Sequence, residues 1–175
     1  MQTIYTGIVA RGFQFASGAA VGRTENGSPF PAGTLQMQRE HFKAAGVDFD
    51  RLVPGLKMAT INLRLDVELE LARPDRTVPL VDWTVDVEDP RARIPPETFS
   101  FVRCCFVYPA PDWPGRFAYY PGLLYYPHPE TKPATNAHDY GVLEVLAQEV
   151  PNLRYDTLAS VICRADAFAV RKAPF

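Results

Sequence analysis

From Thr60 to Leu71 the chain alternates without a break. Ile61, Leu63, Leu65, Val67, Leu69 and Leu71 are apolar, while Thr60, Asn62, Arg64, Asp66, Glu68 and Glu70 are polar. Side chains change face at every residue of a strand, so this period of two predicts a strand over 59–71. One of its faces is buried and the other meets water or a ligand. Similar apolar runs predict strands at YTGIVA near the N-terminus, at 78–87, at 99–108, at 116–126, at VLEVLA and in ASVICRADAF. Only TLQMQREHFKAAG carries a helical period: Leu35, Gln38, Phe42 and Ala45 form one stripe. Thr34 is placed to cap that helix and Gly46 to end it in a left-handed conformation.

Seventeen prolines and eleven glycines keep the pieces short. GFQFASGAAVG reads as a bent hairpin or ligand loop, RTENGSPFPAG and PHPETKPATNAHD as loops, and PNLRYDT as a turn or short helix. Many short strands, one main helix and no βαβ rhythm predict a mostly β fold, a small antiparallel barrel with a short helical turn. The 175 residues suit one domain, 1–175, with no repeat or second domain.

A net charge of −2 without basic runs argues against nucleic acid or an anionic membrane surface as partner. No apolar run reaches membrane-spanning length and the N-terminus lacks signal-peptide character, so a cytoplasmic location is expected. Cys104, Cys105 and Cys163 include no CxxC pair and read as reduced, structural thiols. His128 and His138 lack carboxylate or cysteine partners at ligand spacing and do not read as a metal site. The aromatic run RFAYYPGLLYY offers an interaction surface if it is exposed.

Four pieces in order carry a resemblance. They are TGIVARG; the helix, loop and strand REHFKAAGVDFDRLVPGLKMATINLRLD; LEVLA with its central glutamate; and NLR just after it. Together they resemble the archaeal-type CTP-dependent riboflavin kinases, a family of cradle-loop β-barrels, and span most of the chain. The resemblance implies phosphoryl transfer from a nucleoside triphosphate to riboflavin, giving FMN with Mg2+. The oligomeric state stays open.

The resemblance assigns roles by position. Thr60 and Asn62, two apart on one strand face, would hold the magnesium ion, a hard cation that takes oxygen ligands. Glu144 would contact the flavin and help take the proton of its hydroxyl. Gly12, Gly18, Asn152, Leu153 and Arg154 would bind the nucleotide, the glycines by letting backbone amides approach phosphates. Thr135, favoured over Thr131 by its spacing to Glu144, would bind the flavin, with a wall from Tyr126, Tyr125 or Tyr120. Read from the residues alone, Thr60, Asn62 and Glu144 also suit a solvated strand face. Three departures stand out: the glycine loop is longer than the family's with its glycines spaced differently, Ala59 replaces the glycine before the threonine, and the family's C-terminal turn rich in glycine and aspartate is missing. A barrel that binds nucleotide or flavin without turnover is the alternative.

Overall fold

The computed structural model describes residues 1–12, 16–19, 30, 32–132 and 138–171. Its strands are β1 (Gln2–Ala10), β2 (Ile61–Arg64), β3 (Leu69–Leu71), β4 (Arg76–Val81), β5 (Glu97–Pro109), β6 (Phe117–Pro127), β7 (Val142–Ala147), β8 (Leu158–Arg164) and β9 (Phe168–Val170). Two helices, α1 (Thr34–Ala44) and α2 (Phe49–Leu52), and a 3-10 turn at Pro90–Ala92 complete it. Pairing runs β5-β6-β7-β2-β1-β8 and returns to β5, all antiparallel. The result is a closed six-stranded barrel.

Closure depends on the length of β5. Its first half, Glu97 to Phe101, pairs with β4, and its second half, Cys104 to Val107, pairs with β8 on the same edge. Alternation then sorts the side chains into two cores. Val9, Leu63, Val102, Phe106, Leu124, Val145 and Val161 pack together inside the barrel. Phe99, Phe101, Leu123, Tyr125 and Leu146 point outward and are covered by Leu35, Phe42 and Phe49 of the helices.

Helix α1 buries the expected stripe, Leu35, Gln38 and Phe42. Its end is also as expected. Gly46 takes φ 86°, the Gly46 amide donates to Lys43 O and the Val47 amide to Phe42 O, the paired closure of a Schellman motif. Its start differs. Gly33 is the N-cap and Thr34 the first helical residue, with no side-chain cap; Ala16 O instead accepts from the Leu35 amide.

The expected single strand over 59–71 is two strands in two sheets. β2 belongs to the barrel, while β3 pairs with β9. Between them the Leu65 amide donates to Gly141 O and the Leu69 amide to Tyr140 O, so the neighbouring loop takes over the backbone bonds. Leu65 and Leu69 stay in the core, but Val67, read as buried, is exposed. The strand expected over 78–87 stops at Val81, after a bulge that puts Leu80 at φ 49°. PNLRYDT is a turn, with Asn152 and Asp156 both left-handed, a conformation these polar residues tolerate and a helix does not allow. In RFAYYPGLLYY, Phe117 and Tyr119 are exposed and the remaining aromatics are buried. Among the described residues no helix is long and apolar enough to cross a membrane.

Phe42 holds the outer core together. It is fully buried, edge-on to Phe49, Phe99, Phe101 and Tyr125 at ring separations of 5.1 to 6.5 Å. Phe42→Ala is expected to cost about 3–5 kcal/mol of stability in urea unfolding, through lost transfer energy and an unfilled cavity.

Candidate functional site

Strand register builds one polar row across the outer face of the barrel. Asn62 on β2 is directly opposite Ala10 on β1 and Glu144 on β7, and Glu144 is directly opposite Tyr125 on β6. Directly opposed residues on one face have Cβ atoms about 5 Å apart, so Asn62 and Glu144 are within mutual reach of one small ligand. Asn62 is half-buried, as is Thr60, which lies one residue before β2 begins.

Gly12 joins the row from the end of β1. A Cβ placed on Gly12 would stand 1.9 Å from Asn62 Nδ2. The Asn62 amide therefore occupies the space that a side chain at position 12 would need. The oxygens on offer here, a hydroxyl, an amide carbonyl and a carboxylate, are the donors a hard divalent cation takes, so these residues fit Mg2+. Among the described residues no three His, Cys, Asp or Glu side chains cluster as a metal site.

Glu144 is the electrostatic centre of the row. Burial pushes its carboxyl above the ordinary carboxylate range, and the Lys132 ammonium offsets part of that shift. Leu143 and Val145 on either side of it fill the barrel interior, which fixes Glu144 outward. Next to it, burial drives the Tyr125 phenol well above its usual value, with the charges of Glu144 and Glu97 adding to the effect. The Tyr125 hydroxyl donates to Gln38 Oε1 at 3.0 Å. Gln38 was legible as part of the helical stripe; its service to Tyr125 was not, because the two are joined only by packing.

The expected nucleotide residues divide. Asn152, Leu153 and Arg154 form a turn strapped to Tyr108, whose hydroxyl donates to Asn152 O at 3.3 Å and accepts from the Arg154 amide at 3.0 Å. Leu153 packs on the interior core, while Asn152 and Arg154 are exposed. The same turn reaches the end of β1, since the Asp156 amide donates to Val9 O at 2.9 Å. There the Arg11 guanidinium lies over the Tyr155 ring, 4.9 Å from its centroid. Neither residue carried a signal in the sequence, because their contact exists only once β1 and the turn are side by side.

Gly18 lies elsewhere, at φ 75°, with a would-be Cβ 2.8 Å from Gly33 N at the start of α1. Tyr126 faces inward, edge-on to His138 at 4.8 Å and Phe168 at 6.4 Å, and so lies on the opposite face of β6 from Tyr125. A cavity of about 10 Å3 between Tyr126, His138, Leu143 and Glu144 has room for one water. Thr135 lies outside the described residues.

The cysteines are structural, as expected. Burial pushes the Cys104 and Cys105 thiols up and that of Cys163 to about 11, so none is a thiolate at neutral pH. No family model, no curated protein and no solved structure matches the chain.

The raised carboxyl has a consequence for stability. A group whose folded-state pKa is raised contributes fully at low pH, and the contribution is lost as pH rises through the folded value. Folded protein with ionised Glu144 therefore carries a desolvation cost that the unfolded chain does not. Glu144→Gln in metal-free protein is expected to raise Tm at pH 7, with the gain shrinking on acidification. A melt series across pH checks this; a Tm difference that is independent of pH would show that Glu144 is well solvated.

Proposed function

We propose that the barrel is a magnesium-dependent phosphotransferase that moves a phosphoryl group from a nucleoside triphosphate, CTP by resemblance, to riboflavin, giving FMN. The observation that carries this reading is the meeting of Gly12, Asn62 and Glu144, three positions far apart in the chain that the resemblance assigns to nucleotide, ion and flavin.

Phosphoryl transfer needs little covalent chemistry from the protein; positioning and charge neutralisation do most of the work. Bound Mg2+ would neutralise phosphate charge, held by Thr60 and Asn62. Asn62 is neutral, so it leaves the ion's charge to the phosphates. Gly12 lets the Asn62 amide lie against the backbone that follows β1. The riboflavin hydroxyl oxygen attacks the terminal phosphorus, the bond to the bridging oxygen breaks, and the nucleoside diphosphate leaves. Glu144 takes the hydroxyl proton, and its raised carboxyl pKa makes it a better base than a solvated carboxylate. Arg154, exposed on its turn, is suited to forked bonding with phosphate oxygens.

The deciding experiment is incubation with riboflavin, Mg2+ and CTP, then ATP, followed by chromatography for FMN. Product is expected with at least one triphosphate; none with either overturns the assignment. Asn62→Leu is expected to abolish magnesium-dependent nucleotide binding in calorimetry, with a melt on the same sample to show that the variant is folded. Thr60→Val should act in the same direction more mildly, because water replaces a hydroxyl ligand.

A second reading, a barrel that holds nucleotide or flavin without turnover, is favoured by Gly18. Its backbone is spent against Gly33 at the start of α1, so it is not beside Asn62 as a second phosphate-cradling glycine. Thermal stabilisation by ligand without FMN formation selects this reading.

A further inference from the structure

On the inward face of β4, β5 and β6, opposite to the Asn62–Glu144 row, four side chains form a hydrogen-bonded chain. Thr77 Oγ1 is 2.7 Å from Ser100 Oγ, Ser100 Oγ is 2.8 Å from His128 Nε2, and His128 Nδ1 is 2.9 Å from Glu130 Oε1. Thr77, Ser100 and Tyr126 are register partners on the three strands, and His128 follows directly after β6.

The direction of the chain follows from its far end. A backbone amide bond and the His128 ring hold the Glu130 carboxyl below the ordinary range, so it is ionised at neutral pH and only accepts. With Glu130 accepting, Nδ1 is the donor, and the tautomer that leaves a lone pair on Nε2 is the one that can take a proton from Ser100. Ser100 gives its single hydroxyl proton to Nε2, which leaves only its oxygen to accept from the Thr77 hydroxyl. Ser100 is fully buried, whereas Thr77 is exposed. The chain draws a proton from the one hydroxyl that a substrate can reach.

Two further features fit a site rather than a chance network. The His128 backbone is fixed at both groups, its amide donating to Thr98 O at 2.9 Å and its carbonyl accepting from Thr131 Oγ1 at 3.1 Å, while the Tyr126 ring stands edge-on to the imidazole at 5.4 Å. β4 is also bulged between Val78 and Val81, with Leu80 at φ 49° and its side chain turned out to solvent. A left-handed leucine is strained backbone, and such strain concentrates beside functional groups.

We propose that Thr77 is the nucleophile of an acyl-transfer site for small carboxylic esters, with Ser100 and His128 relaying its proton and Glu130 positioning the imidazole. Thr77 Oγ1 bonds to the ester carbonyl carbon. Its proton passes to Ser100 Oγ as the Ser100 proton passes to His128 Nε2, and the imidazolium faces Glu130. The carbon–oxygen bond to the alcohol then breaks, and the departing oxygen takes the proton of Ser100 Oγ, which lies 2.7 Å from Thr77 Oγ1, as Ser100 recovers one from His128 Nε2. Water then gives a proton to Ser100 Oγ as Ser100 passes its own to His128 Nε2, the water oxygen bonds to the acyl carbon, the bond to Thr77 Oγ1 breaks, and that oxygen takes the proton returned through Ser100.

The test uses the full chain with a fluorophosphonate, which gives up fluoride when a nucleophilic hydroxyl bonds to its phosphorus, and with p-nitrophenyl acetate. One adduct per chain is expected, on the peptide containing Thr77, absent in Thr77→Val and retained in Thr77→Ser. Labelling and ester hydrolysis should both fall about a hundredfold in His128→Asn, the scale of a lost general base. Glu130→Gln should slow both in the same direction. No adduct, an adduct on another residue, or Thr77 labelling unchanged in Glu130→Gln overturns the proposal. Thr77 and Glu130 are both exposed, so their variants keep the fold and decide the matter even if His128→Asn unfolds.

Discussion

The length of β5 is the constraint from which the rest of the structure follows. Thirteen residues give it one edge long enough for two partners, β4 along its first half and β8 along its second. With β8 in place the sheet closes, and a closed barrel has no free edge among its six strands. Closure turns the simple alternation of each strand into a distinction between inside and outside. Without it, Leu63 and Val161 would not share a core, and the outward aromatics of β5 and β6 would have no fixed surface on which to receive α1 and α2.

The outer face is used unequally. Around Phe99, Phe101, Leu123 and Leu146 it is dry and covered by helices. Beside it Tyr125 on β6, Glu144 on β7 and Asn62 on β2 oppose one another in a row, with Gly12 leaving room for the Asn62 amide. A carboxylate beside an aromatic core is costly in its charged form, and burial accordingly holds the Glu144 carboxyl above the ordinary range.

The inward face at the β4 end shows a different use of polar groups. There Thr77, Ser100, His128 and Glu130 satisfy one another in a line from surface to surface. A buried hydroxyl such as Ser100 requires a partner, and the imidazole that serves it is itself oriented by a carboxylate. The same β4 segment is the one whose backbone departs from regular strand geometry.

The sequence by itself determined the local elements. The period of two marked β5, β6, β7 and β8, the period of 3.6 marked α1, and Gly46 marked its end, since each signal lies within a few residues of chain. It also placed Glu144 between two core positions. Tertiary structure decided which strand residues oppose one another, and with them both polar clusters: Asn62 against Glu144, Gly12 beneath Asn62, Ser100 against His128. It decided that Tyr125, not Tyr126, shares the face of Glu144, and that the alternating run 59–71 breaks where the loop at Tyr140 and Gly141 captures its amides. The physical reason is the same in each case. Periodicity is written in neighbours along the chain, whereas register, closure and loop capture are contests between distant segments for the same backbone hydrogen bonds, and only the folded chain resolves them.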